Sequence, residues 1–169
     1  MKLQSLPIAV LLAVPLLLQA RQDAPPAAAA QPQTPAQAPS AHVVLQATEL
    51  KWGDAPPAFE RGAQAVVLAG DPAKPGLFVL RLKVPPGYKV ANHWHPTAEH
   101  VTLMDGDVTL RMNDGAQERT LSRGAFVLLP AQMHHAVSTA TGATVQVSAM
   151  GPFELTYVDP KDDPRNRKP

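Results

Sequence analysis

Between Phe78 and Tyr157 the apolar residues recur at every second position, and the chain breaks at short intervals into turn-forming residues. Phe78, Leu80, Leu82 and Val84 alternate with Val79, Arg81 and Lys83. The same period returns in Val101 and Leu103, in Val108, Leu110 and Met112, in Val145 and Val147, and in Phe153, Leu155 and Tyr157. Successive side chains of a strand point to opposite faces, so this period predicts strands with one face in a core and the other in water. Pro85-Pro86-Gly87, Asp105-Gly106-Asp107, Asn113-Asp114-Gly115 and Thr141-Gly142 are the expected turns. Many short strands with close turns, and no sustained helical period, predict an all-β fold of antiparallel strands, a sandwich or jelly-roll barrel. Phe126 to Leu129 is continuously apolar, which predicts a strand covered on both faces.

The pattern stops at both ends of the chain. Leu6 to Leu18 is an apolar run behind Lys2, and Leu18-Gln19-Ala20 offers small residues to a signal peptidase, so residues 1–20 read as a signal peptide. The run is too short to span a bilayer comfortably, and Pro7 and Pro15 interrupt it. Cleavage and a periplasmic or secreted domain with no stable membrane span are expected, with an uncleaved anchor as the alternative. Residues 21–42 are almost entirely Ala, Pro and Gln and read as a disordered spacer. Residues 159–169 mix both signs of charge with three prolines and read as a flexible tail, which leaves 43–158 as one folded domain.

Fifteen Lys and Arg against 14 Asp and Glu, with no block of like charge inside the domain, give no electrostatic footprint for nucleic acid. There is no cysteine, so disulfides, thiolate metal sites and cysteine nucleophiles are excluded. Any metal must be held by nitrogen and oxygen.

Such donors are present. On a strand His93 and His95 point to one face while Trp94 points to the other. Glu99 follows four residues later, and His135 stands at the head of another strand-like segment. Three imidazoles and one carboxylate suit a first-row transition ion. His100 alternates with Glu99, and His134 with His135, so both are expected to face away. Alternation from Val137 favours His135 over His134 as a ligand, an assignment that a one-residue bulge would reverse.

These residues resemble the motifs of the cupins. The first motif matches as Gly87, five residues, His93-Trp94-His95, three residues, Glu99, six residues and Gly106; the second matches at Gly124, Pro130 and His135. Two positions depart from the family pattern: Gln132 stands where a glycine is usual, and Thr139 where an asparagine is. Gln132 means either that the turn needs no positive φ or that it tolerates a strained residue.

The resemblance implies a single-domain cupin jelly-roll β-barrel. It implies one divalent transition metal ion (iron, manganese, nickel, copper or zinc) held by His93, His95, Glu99 and His135, and a small-molecule substrate or ligand. It also implies a homodimer. Trp52, Tyr88 and Trp94 are candidates for the subunit contact, or else pack within the monomer. Inward residues such as Phe78, Leu80, Val101, Leu110, Phe126 and Val137 would form a dry pocket, or equally a plain core. The chemistry of the resembled family ranges over dioxygenases, decarboxylases, isomerases and epimerases, and fold and ligands do not choose among them. A metal-dependent oxidoreductase of dioxygenase type is the first expectation. A non-catalytic periplasmic protein that binds or senses a metal or small ligand is the alternative, because no further acid–base residue is identifiable.

The mature chain is expected to begin at Arg21, which mass spectrometry of the exported protein checks; an intact amino terminus in the membrane fraction would replace cleavage with anchoring.

Overall fold

In the computed structural model of the chain, which describes residues 42–112 and 117–167, every run with the period of two lies in a strand except Phe153 and Leu155, which fall between the last two strands. Ten strands are present among the described residues: β1 (Gly53–Asp54), β2 (Gln64–Ala69), β3 (Gly76–Val84), β4 (Lys89–Trp94), β5 (Glu99–Met112), β6 (Gln117–Ser122), β7 (Phe126–Leu129), β8 (His135–Ser138), β9 (Ala143–Gly151) and β10 (Thr156–Tyr157). They pair antiparallel in the order β1-β2-β3-β9-β5-β8-β4-β10, with β6 and β7 also bonded to β5. The curled sheet is a cupin jelly roll. It lies within the unit Ser40–Pro169. The expected signal peptide, and all of the expected spacer but His42, lie outside the described residues. Among the described residues no helix is long and apolar enough to cross a membrane.

β5 holds the two halves together. Its first half pairs with β9 and β7, and its second half, from Asp107, pairs with β6 and β8. Asp105-Gly106-Asp107, expected as a turn, is instead the corner where one strand passes between two sheets. The register with β9 shifts between Leu103 and Asp105, and Gly106 takes φ +78°. A Cβ at Gly106 would collide with the Gly142 carbonyl oxygen, so glycine is required by space as well as by dihedral angle. The other expected turn, Asn113-Asp114-Gly115, falls between the paired ends Met112 and Gln117, outside the described residues.

The core lies between the inner faces. Phe78 and Leu103 are its fully buried large side chains, each contributing about 1.5–3 kcal/mol by leaving water. The Phe78 ring meets the edge of Phe153 at 5.2 Å between centroids. The outward alternates of β7 correct one expectation: Phe126 is 61 % and Leu128 53 % exposed, while Val127 and Leu129 face inward. The strand is covered on one face, and Phe126 is not part of the interior. Its four apolar residues give no period from which the open face could be read. Tyr88 takes the second of its two expected places. It is buried within the monomer and its hydroxyl donates to the Glu60 carbonyl at 2.8 Å, so it is no surface aromatic.

The segment after β10, expected as a flexible tail, is tied back as far as Arg167. Asp163 accepts from the Arg165 amide and guanidinium and caps a short 3-10 turn, Pro164–Asn166. Arg165 also donates to the Leu155 carbonyl, and Arg167 pairs with Glu60 at 2.6 Å. Asp163 is buried, whereas Arg165, Arg167 and Glu60 are about half-exposed, so the Arg167–Glu60 pair orients the segment more than it stabilises it.

Gln132 adopts φ +62°, so the turn before β8 does need the left-handed conformation that glycine takes freely. Its amide donates to the His95 carbonyl at 2.8 Å, which holds the turn in place despite the strain. Thr139, the other departure, is buried and its hydroxyl oxygen accepts from the Gly142 amide. A left-handed non-glycine residue costs about 1–2 kcal/mol, partly offset by the greater freedom of glycine in the unfolded chain. Gln132→Gly is therefore expected to stabilise the domain by about 0.5–1 kcal/mol in a denaturant titration, and Gly106→Ala to destabilise it severely.

Candidate metal centre

Four buried polar side chains converge inside the barrel from three strand ends. His93 lies on β4, His95 one residue past its end, Glu99 opens β5 and His135 opens β8; they are 4, 6, 6 and 2 % exposed. Register explains part of the convergence, because His93 and His135 are direct cross-strand partners with ring centroids 4.1 Å apart. A bulge explains the rest. Val90 pairs with Val137, yet His93 pairs with His135, so β4 gains one residue between them. Strict alternation would put Val90 and His93 on opposite faces. The bulge turns both inward, and both line the cavity. β8 carries no such slip before Val137, so His135 and Val137 share the inner face, and His134 stays outside the cluster.

The imidazoles are oriented by backbone carbonyls. His93 Nδ1–H donates to Ala91 O at 2.7 Å, His95 Nδ1–H to Glu154 O at 2.7 Å, and His135 Nδ1–H to Met133 O at 3.0 Å. A carbonyl can only accept, so in each ring the proton belongs on Nδ1 and the Nε2 lone pair is left bare. His95 is fixed further by Phe153, whose ring stacks on it at 4.2 Å and 16°. The three histidines place ligand nitrogens within 4.8 Å of one another, an arrangement that can hold a metal ion.

Glu99 lies against two of them, Oε1 at 3.0 Å from His135 Nε2 and 3.5 Å from His95 Nε2. A carboxylate oxygen facing two bare nitrogens is acceptor against acceptor, in a buried place. Some positive charge must sit among them. A divalent ion supplies it to every donor at once, where a proton serves one. The donor set therefore fits the first-row ions that favour imidazole with carboxylate.

Burial holds His93 well below the ordinary histidine value, reinforced by the neighbouring His135 and His95 and only partly opposed by its bond to Ala91. His95 is likewise lowered, by burial first, with Glu99 and the Glu154 carbonyl opposing. Both are kept in the neutral form that binds metal.

The cavity around these groups measures about 110 Å³ and is walled chiefly by Val and Leu side chains. His100, on β5, is on the outer face, exposed, with its ring stacked over Phe126 at 6.1 Å. Sequence reasoning missed Phe153 and the three carbonyls. Those of Ala91 and Met133 each lie two residues before their histidine, whereas Glu154 is distant in sequence and leaves no local signal.

The profile of a family described as "Domain of unknown function (DUF4437)" matches residues 14–156. No curated protein matches the sequence. Among solved structures, the polyketide cyclase RemF from Streptomyces resistomycificus is similar at TM-score 0.64 and 16% identity, covering 73% of this chain and 90% of that one. A protein described as a "putative acetylacetone dioxygenase" from Methylibium petroleiphilum PM1 gives 0.59 and 23%, over 73% and 85%. An RmlC-like cupin from Shewanella frigidimarina NCIMB 400 gives 0.54 and 16%, over 66% and 91%. At these identities the likeness is one of fold.

The lowered histidines make a prediction for metal-free protein. The unfolded chain titrates near the ordinary 6.5 and the folded chain below it. Between those values the unfolded state binds more protons, so stability is fully present above about pH 6.5 and is lost on acidification below it. The melting temperature of chelator-treated protein is expected to hold level down to about pH 7 and to fall from about pH 6.5; His93→Gln should flatten that fall.

Proposed function

We propose, on the premise that this chain belongs to the DUF4437 family and has the cupin fold, that it is an exported metal-dependent oxidoreductase of dioxygenase type. Its substrate is a small organic molecule, and one divalent transition ion is held by His93, His95, Glu99 and His135. The observation that carries this reading is the set of three bare Nε2 atoms, each fixed by a carbonyl behind it, with the Glu99 carboxylate against two of them. When bound, such an ion supplies a Lewis acid or redox centre with coordination positions left for other molecules.

What the chain itself does is orient and exclude. The carbonyls of Ala91, Glu154 and Met133 hold the rings in one tautomer, and the apolar wall keeps bulk water from the donors. Tyr88 lines the cavity, but its hydroxyl is committed to the Glu60 carbonyl and its acidity is strongly suppressed by burial. It is not a proton donor for catalysis. The lack of another acid or base in the lining, among the described residues, favours chemistry carried by a metal over reactions that need a separate protein base. The likeness to a protein described as a "putative acetylacetone dioxygenase" supports the same class.

That lack equally favours a second reading, a non-catalytic periplasmic protein that captures a metal or small ligand. Metal analysis of purified protein, followed by oxygen-uptake screening of small enols and phenols, separates the two; turnover that chelation abolishes supports the enzyme, and binding without turnover supports the carrier.

About one divalent ion per chain is expected, raising stability by about 2.7 kcal/mol at a hundredfold excess over the dissociation constant. His135→Ala should weaken metal binding by more than the about 10–100-fold that loss of an outer partner costs, and His134→Ala should leave it within a few-fold of the parent. Calorimetric titration with zinc reads both, and the reverse ranking would show His134 to be the ligand.

A further inference from the structure

We infer that the cavity takes a small, uncharged, mainly hydrocarbon molecule whose only polar end faces the histidines, and that Phe59 sets the size it admits. The polar end rests on the metal reading above; the rest stands on the cavity alone. Val101, Leu110, Val127, Leu129, Val137 and Val145 make up much of its wall, and among the described residues the lining holds no Lys, Arg, Asp, Asn or Gln. A second charge on the ligand would be buried without a partner. The remaining polar side chains are few. Tyr88 presents its ring and spends its hydroxyl on Glu60 O, Thr139 accepts the Gly142 amide, and Ser138 completes the set. A volume of about 110 Å³ is somewhat below the roughly 150 Å³ of an apolar cavity known to hold benzene, which limits the ligand to about one six-membered ring.

Among the described residues of the wall, Phe59 is the one that precedes β2 in the chain. It lies in the segment 56–60, which closes a turn by donating from Phe59 N–H to Pro56 O. Two tyrosine hydroxyls fasten that segment from the barrel: Tyr157 donates to Ala58 O and Tyr88 to Glu60 O, each at 2.8 Å. The ring between the two anchors packs against Ala58, Leu155 and Tyr157 and is the large side chain that this segment contributes to the cavity. Shortening it enlarges the site without touching a strand or a histidine.

The test is calorimetric titration of the zinc-loaded chain with catechol, 3,4-dihydroxybenzoate and 4-tert-butylcatechol, which share one metal-seeking end. Catechol should bind at least about tenfold more tightly than its carboxylated analogue. Phe59→Ala should improve 4-tert-butylcatechol at least about tenfold relative to catechol, and Phe59→Leu by less; if Phe59→Ala does not fold, Phe59→Leu alone decides. Equal or tighter binding of 3,4-dihydroxybenzoate overturns the uncharged-ligand inference, and unchanged size preference in the folded variants overturns the role of Phe59. A parallel titration of metal-free protein with benzyl alcohol against benzoate asks the same question without the ion. If zinc fails to bind while benzyl alcohol still outcompetes benzoate, the metal reading has fallen and the cavity inference stands.

Discussion

Three imidazole nitrogens with bare lone pairs, gathered beside a carboxylate in an apolar interior, repel one another and strongly resist being dry. The fold forces them together with the energy of everything around them: the β4–β8 ladder, the corner of β5 and the Phe78–Phe153 contact that ends on the His95 ring. Much of the architecture can be understood as the frame that makes this crowding tolerable. The bond from each Nδ1–H to a carbonyl recovers part of the desolvation cost and removes the freedom to tilt away.

β5 is the member on which the frame turns. It contributes Glu99 at one end and, at the other, Met112 opposite His135, so one strand spans the site and both sheets. The corner at Gly106 is what allows it. A strand that stopped there, as the local residues suggest, would leave β9 and β8 without a common neighbour.

The strands with a half-buried period, β3, β5 and β9, were legible because water on one face and core on the other write themselves into residue type. So were the four convergent side chains, whose spacing is carried by motif. What was not legible has physical reasons. β6 is a strand of Gln, Glu, Arg, Thr, Leu and Ser in which only Leu121 turns toward the core, too little to impose a pattern. Phe126 and Leu128 are apolar yet face outward, and no residue type distinguishes them from Val127 and Leu129. Asp105-Gly106-Asp107 has turn composition but strand geometry, since what glycine supplies there is closeness to Gly142. The bulge in β4 is set by pairing with β8, a partner more than forty residues away, and the segment 56–60 is placed by two tyrosines distant in sequence, Tyr88 just before β4 and Tyr157 on β10.

The hydrogen-bond partners of the three Nδ1–H groups are all main-chain oxygens. Every residue type has that oxygen, so no single substitution at Ala91, Met133 or Glu154 can delete it. The ligand geometry therefore depends on the path of the backbone at these positions and not on the chemistry of their side chains. A centre built this way tolerates extensive divergence in its surroundings, and its weak points are the few places, such as the corner glycine and the strained Gln132, where the backbone path itself depends on one residue.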